Sequence, residues 1–267
     1  MKERVTLTLD NELLKEVDTR VDGYNIKNRS HAVELLLKES LGNIGIKKAI
    51  ILAGGSKNNL VKSLFKVRNK PLIMHNIELL KKYKIKDIII AVDAYSAKIK
   101  NVLENGKDIN ILYLEEKKPL GTAGPLKLAK LYLKETFIVC NADELKNIDL
   151  DDIYKFHKKN NALITIALTT SKETKEYGVV RMKGNKIIEF FEKPKKHVSN
   201  LINAGLYIME PSIIDKIPEG FAMMERDLFP QVAKEGRLYG YTFDGQWFDI
   251  NTNNDLEIAS KEWEDIQ

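Results

Sequence analysis

The sequence predicts an α/β fold: a mainly parallel sheet flanked by helices, a mixed β extension after it, and a small β-α-α module before it. Three observations predict this. Between residues 49 and 169 short apolar runs alternate with amphipathic stretches of helix length, the pattern of β-α-β units. Beyond residue 175 the pattern changes to short β-like pieces at 178–182, 186–192, 201–209 and 239–243. Ahead of residue 46, one strictly alternating segment precedes two helical patterns and a linker carrying Gly42 and Gly45.

The bulk numbers set limits. A chain of 267 residues with 43% hydrophobic content can bury a sizeable core in one or two domains. A single cysteine, Cys140, excludes an internal disulfide and fits a reducing cytoplasm. The polar N-terminus has no signal-peptide pattern, and no apolar run approaches the ~20 residues of a membrane span. A cytoplasmic protein without a membrane partner is expected. The 43 basic and 38 acidic residues leave a net charge of +5, which permits anionic ligands.

In the N-terminal module, Val5, Leu7 and Leu9 share one face of the alternating segment, and Lys2, Arg4, Thr6 and Thr8 share the other. This reads as a half-buried strand. Asp10 or Asn11 caps a helix with Leu13, Leu14, Val17 and Val21 on its apolar face, and Asp22-Gly23 ends it. Ser30 is the expected N-cap of a second helix. One strand makes no sheet, and a module of 45 residues rarely stands alone. A second copy pairing its strand across a two-fold axis supplies the missing partner. Such an antiparallel ribbon can enter a DNA major groove. The free N–H groups near Arg29 and Ser30 suit a phosphate.

These residues resemble the ribbon-helix-helix family of DNA-binding dimers over positions 1–43. The resemblance implies base contacts from Arg4, Thr6 and Thr8, with Lys2 beside them, and a backbone phosphate contact at Arg29 and Ser30. It implies a homodimer, or a tetramer of paired dimers, on a double-stranded operator. A dimerisation handle with a solvated polar face is the alternative, and the module's seven bases against eight acids leave it near neutral.

From residue 46 onward the first strand, 49–53, ends in Gly54-Gly55, followed by a polar loop and Lys62. Two glycines allow close approach of backbone N–H groups to a phosphate. Helices are expected at 72–83, 97–105, 123–133 and 153–159, and strands at 85–92, 109–114, 136–141 and 163–169. Ligands of such sheets bind at the C-terminal strand ends. That singles out Gly54, Gly55, Asp93, Gly121 and Asn141-Ala142-Asp143. Asp143 closes an apolar strand, and Asp249 follows another; two carboxylates so placed suit one Mg²⁺ bridging phosphates. The four histidines, His31, His75, His157 and His197, are scattered and form no nucleophilic triad.

Together these pieces resemble the sugar-phosphate nucleotidyltransferases of the glucose-1-phosphate thymidylyltransferase and mannose-1-phosphate guanylyltransferase type. The resemblance spans about 47–263. It rests on Leu52-Ala-Gly-Gly55, Leu120-Gly-Thr-Ala-Gly124, Asn141-Ala-Asp143, Tyr177-Gly-Val-Val180, Glu192-Lys-Pro194, Ile202-Asn-Ala-Gly205, Asp227-Leu-Phe-Pro230 and Trp247-Phe-Asp-Ile250. It implies a Rossmann-like, glycosyltransferase-A-like mixed sheet and Mg²⁺-dependent attack of a sugar 1-phosphate on the α-phosphorus of an NTP, with release of pyrophosphate. By position it assigns Leu52, Ala53, Gly54, Gly55, Gly121 and Thr122 to the nucleotide. Lys62 falls to the phosphates, Asp143 and Asp249 to the metal, and Gly178, Glu192, Lys193 and Asn203 to the sugar phosphate. Lys62, Asp143, Lys193 and Asp249 form the catalytic set.

The chain departs from this family chiefly in one stretch. Where relatives carry a glycine, a threonine, an arginine and a longer loop, Ser56 to Val61 lead directly to Lys62, and no arginine remains. Asn251 and Asn253 stand where relatives have glycine and proline. Two readings follow: a transferase with a DNA-binding dimer module, or a transcription regulator whose transferase-derived domain senses a nucleotide sugar, sugar phosphate or nucleotide without turnover.

Overall fold

The computed structural model describes residues 5–24, 26–40, 45–54, 61–93, 96–103 and 108–265. Lys2, Arg4, Gly55 and the loop 56–60 lie outside them. The chain divides into two compact units, Met1–Gly45 and Ile46–Gln267.

In the first unit, helix α1 spans Asn11–Thr19 and helix α2 spans Arg29–Ser40. Asp10 caps α1, its side chain accepting from the N–H groups of Glu12 and Leu13. The cap of α2 is Asn28, whose side-chain oxygen accepts from the N–H of His31, so Ser30 lies inside the first turn rather than ahead of it. The half-buried strand is not formed in the single chain. Residues 5–9 pair with no strand among the described residues, and Val5 and Leu7 are 73% and 54% exposed. The physical reason is that a strand needs a second strand to take its N–H and C=O groups. Val17 and Ala32 are the buried apolar residues described in this unit.

In the second unit the strands are β1 (Lys48–Leu52), β2 (Lys66–Val67), β3 (Lys70–Pro71), β4 (Asp87–Val92), β5 (Asn110–Glu115), β6 (Phe137–Asn141) and β7 (Glu144–Lys146). After them come β8 (Ile164–Thr170), β9 (Gly178–Lys183), β10 (Lys186–Glu192), β11 (Leu201–Met209), β12 (Leu238–Thr242) and β13 (Trp247–Asp249). The helices are α3 (Leu72–Lys82), α4 (Ser96–Leu103), α5 (Gly124–Leu128), α6 (Leu150–Lys159), α7 (Phe229–Lys234) and α8 (Asn253–Glu262).

Nine strands form one sheet in the order β5-β4-β1-β6-β11-β8-β12-β10-β9. The first four run parallel, as the β-α-β reading predicts. Strand β11 is antiparallel to both β6 and β8, so the sheet turns mixed from there. Ala49, Ile50 and Ile51 of β1 are fully buried, as a strand covered on both faces requires. Cys140 is a buried core residue. The predicted helix at 123–133 is two pieces, α5 and a 3₁₀ turn at Ala129–Leu131.

A smaller packing cluster lies apart from the main core. Val67, Leu72, Leu145, Ile250, Ala259 and Trp263 are buried together, with Phe65, Phe248 and Leu256 against them. It binds the β2–β3 hairpin, the two-stranded β7–β13 ribbon and α8 into one block. Arg68 and Asn69, both with positive φ (49° and 64°), form the hairpin's turn.

Candidate active site

β1 and β6 are neighbours, so Gly54 and Asn141-Ala142-Asp143 emerge side by side at the C-terminal edge. The N–H of Ala142 donates to the carbonyl of Leu52 (3.1 Å), and that of Ala53 to Ala91 (2.8 Å), which holds these strand ends together. Beyond Asp143 the chain turns into β7, which pairs antiparallel with β13. In that register Asp249 stands opposite Glu144, the residue after Asp143. The two aspartates, far apart in sequence, thus meet at one edge. Asp249 is partly buried. Burial first, and then the charges of Glu144 and Asp143, push its carboxyl from 3.8 up to about 7.

Lys62 opens a 3₁₀ turn and reaches the same edge. Its Nζ donates to Asn251 Oδ1 (2.5 Å), and Asn251 Nδ2 in turn donates to Asp249 Oδ2. Asn251 is held by the capping box of α8: its N–H and that of Thr252 both donate to Asp255, whose own N–H donates to Thr252 Oγ1. Asn251, one of the residues at which the chain departs from its relatives, therefore bridges the lysine and the aspartate.

These donors fit Mg²⁺. The ligand set is carboxylate oxygen, matching a hard cation that takes one or two carboxylates and completes its shell with water and phosphate. Burial, then the charges of Glu144 and Asp143, push the Asp249 carboxyl up, a cost that a bound cation would offset. Among the described residues no group of three or more His, Cys, Asp or Glu side chains is arranged to hold an ion by itself.

The loop before α5 is fixed against residues 220–225. Gly121 has φ +77°, and a Cβ there would lie 2.3 Å from the carbonyl oxygen of Ala222. The N–H of Ala123 donates to Ala222 O (2.9 Å) and that of Ala222 to Leu120 O (2.9 Å). Thr122 Oγ1 donates to Glu225 (2.7 Å) and accepts from the N–H of Met224 (2.8 Å), so its hydroxyl is engaged within the protein. Glu116, immediately after β5, accepts from the N–H of Leu120 (2.8 Å). A Cβ on Gly54 would lie 3.1 Å from its Oε1. Glu116 thus lies between the two glycine loops, and burial pushes its carboxyl up.

The residues expected on the sugar side also converge. Gly178 pairs with Glu192 across β9 and β10, and Ile202 of β11 pairs with Val179, placing Asn203 nearby. A register shift lies between Asn203 and Tyr207, where Gly205 takes φ +60°. Asn203 Nδ2 donates to the Tyr207 hydroxyl (2.7 Å). Burial, then Glu225, pushes the Glu192 carboxyl up. Lys193 takes φ +46°, costly for a side-chain-bearing residue, and its Nζ lies 3.6 Å from Glu176. In the N-terminal unit Arg29 makes a bidentate pair with Asp18 (2.5 and 2.7 Å), which ties α1 to α2; Thr6 and Thr8 are exposed.

A nucleotidyl transferase family pattern matches residues 48–266. The chain belongs to that family. Among curated members, the mannose-1-phosphate guanyltransferase of Yarrowia lipolytica is 38% identical over 224 residues, covering 78% of this chain and 62% of that protein. The mannose-1-phosphate guanylyltransferase catalytic subunit beta of Danio rerio is also 38% identical with the same coverage. The chain thus spans about 62% of the length of these relatives. Among solved structures, a Bacillus anthracis protein provisionally named glucose-1-phosphate thymidylyltransferase, in complex with sucrose, superposes with a TM-score of 0.76 at 25% identity. It covers 82% of this chain and 96% of the other. A UDP-glucose pyrophosphorylase with UDP-glucose shares the fold at 21% identity and TM-score 0.69. The fold is therefore the α/β nucleotidyltransferase fold with its mixed sheet.

Four residues packed around this candidate site escaped the sequence reading: Glu116, Glu144, Lys146 and Glu225. A carboxylate directly after a strand at the ligand edge was the available signal for Glu116. Glu144 and Lys146 flank Leu145 just beyond the predicted strand 136–141, and nothing in the sequence marks them as buried.

Proposed function

We propose that the chain joins an NTP and a sugar 1-phosphate into a nucleotide sugar, releasing pyrophosphate, with Mg²⁺ held by Asp143 and Asp249. The names of its relatives point to GTP and mannose 1-phosphate. The observation that carries the reading is the meeting of Lys62, Asp143 and Asp249 at the edge where β1 and β6 end.

In this mechanism the base lies between Gly54 and Gly121, and Glu116 faces its hydrogen-bonding edge; a carboxylate accepts the paired N–H groups of guanine. Gly178, Glu192, Lys193 and Asn203 hold the sugar phosphate so that one of its oxygens faces the α-phosphorus. That oxygen is already anionic, so no general base is required; positioning and charge neutralisation supply the rate. Lys62 balances charge on the phosphates. When bound, Mg²⁺ neutralises the developing charge of the leaving pyrophosphate.

The test is pyrophosphate release with Mg²⁺, each NTP or dTTP and a panel of hexose 1-phosphates. We expect release with GTP and mannose 1-phosphate, abolished by Asp143→Asn. A second reading is favoured by the short stretch from Ser56 to Val61, which lacks arginine: ligand binding without turnover. No pyrophosphate from any pair, with a nucleotide sugar still raising the melting temperature, would replace the first reading by the second.

For the N-terminal unit we infer a dimer through residues 5–9 that presents Lys2, Arg4, Thr6 and Thr8 to operator DNA, with the start of α2 at a phosphate. The exposed Val5 and Leu7 and the sparse core support it. Arg4→Ala is expected to abolish sequence-specific gel shifts while the dimer persists. Unchanged binding would remove the DNA contact from the proposal.

A further inference from the structure

Beneath the two aspartates lies a buried carboxylate that the mechanism above does not use. Glu144 is 7% exposed, and its two oxygens serve different elements. Oε1 accepts from Asn141 Nδ2 at the end of β6 (2.7 Å), and Oε2 accepts from the indole N–H of Trp247 on β13 (2.9 Å). Lys146, 2% exposed, balances the charge from 3.8 Å, and its Nζ also faces the carbonyls of Asn141 and Gly205 at 3.4 Å. The space is bounded by Gly205: a Cβ there would lie 2.2 Å from Glu144 Oε1.

We propose that Glu144 is a positioning residue, a buried bridge from Asn141 to Trp247 that sets the separation of Asp143 and Asp249. The argument rests on connectivity. Asp143 follows β6 by two residues, and Asp249 follows Trp247 by two. The β7–β13 ribbon has three residue pairs, too few to hold its register by backbone bonds alone. Glu144 links the base of one aspartate's strand to the base of the other's, in a setting where a buried acceptor tolerates no substitute geometry. This inference rests on the metal-binding reading of Asp143 and Asp249.

The test uses the full chain and Mn²⁺ as the probe, with binding followed by electron paramagnetic resonance. Trp247→Phe removes one arm of the bridge and keeps the ring; Glu144→Gln with Lys146→Met removes the ionic pair without leaving a lone buried charge. Both are expected to weaken Mn²⁺ binding about 10-fold, the size seen for outer partners of metal ligands. kcat is expected to fall while KM for the sugar phosphate holds. Gly205→Ala, which presses on the bridge without deleting a hydrogen bond, is expected to do the same. Variants that bind Mn²⁺ as wild type does, with only the melting temperature lowered, would reduce Glu144 to a structural residue and overturn the proposal. No Mn²⁺ binding by the wild-type protein would instead overturn the metal reading and the bridge with it.

Discussion

Replacing Asp249 with asparagine should stabilise the metal-free protein, and the gain should depend on pH. The structure raises the Asp249 carboxyl from 3.8 to about 7, through burial and then the charges of Glu144 and Asp143. A folded-state value above the unfolded one means that the native state holds the proton more tightly. Stability linked to this group is therefore full below pH 4 and lost as pH rises toward 7. The span corresponds to about 4 kcal/mol, an upper figure because neighbouring acids share the titration. Asp249→Asn imitates the protonated carboxyl. In chelator-treated protein it should match wild type near pH 4 and exceed it by about 2–4 kcal/mol above pH 7. Urea unfolding followed by tryptophan fluorescence is the assay, since both tryptophans, Trp247 and Trp263, report on the second unit. Mg²⁺ at pH 7.5 should stabilise wild type and leave the variant unmoved. Parallel stability curves for the two proteins from pH 4 to 8 would refute the argument that burial beside Glu144 and Asp143 raises the Asp249 carboxyl.

Other outcomes follow from the same geometry. Gly121→Ala forces a left-handed backbone on alanine and sets its Cβ against Ala222 O, so the urea midpoint should fall by about 3 kcal/mol equivalent. Glu116→Gln should lower kcat/KM for GTP about 10–100-fold and narrow the preference over other NTPs, measured by pyrophosphate release, because paired contacts to a base edge discriminate by about 1–3 kcal/mol. Leu7→Asp places a charge on the apolar face of residues 5–9 and should shift the protein toward monomer in analytical ultracentrifugation; an unchanged mass would move the dimer contact elsewhere.

Most of the sheet was legible because its strands are apolar runs closed by glycine or a polar residue. β1, β4 and β6 could be read from Ala49 to Ala53, Ile85 to Val92 and Thr136 to Asn141 without knowing their neighbours. The ends of those strands, and therefore Gly54 and Asp143, came with them. The β7–β13 ribbon was not legible. Its members are three residues long, and each owes its conformation to the other across a hundred positions of sequence. For the same reason the role of Asn251 was invisible: its bond to Lys62 spans 189 positions and exists only once α8 is capped. Residues 5–9 show the opposite case, where a clear alternating pattern predicts a strand that the structure does not form.

The small cluster around Trp263 carries a consequence for motion. Lys62, Asp143 and Asp249 lie where a wide, deeply buried sheet meets a block held by a handful of apolar side chains. Trp263 touches the rings of His75 and Phe248 in edge-on contacts at 5.7 and 6.3 Å, and Gln246 clasps the end of α8 through Glu262 and Glu264. A block of that size opens at far lower free energy than the sheet it leans on. In hydrogen exchange, amides of α8 and the β7–β13 ribbon should open together as a lightly sprung gate while β1 and β6 stay closed. The ligands of the proposed reaction would then enter and leave past α8, with the ends of β1 and β6 undisturbed.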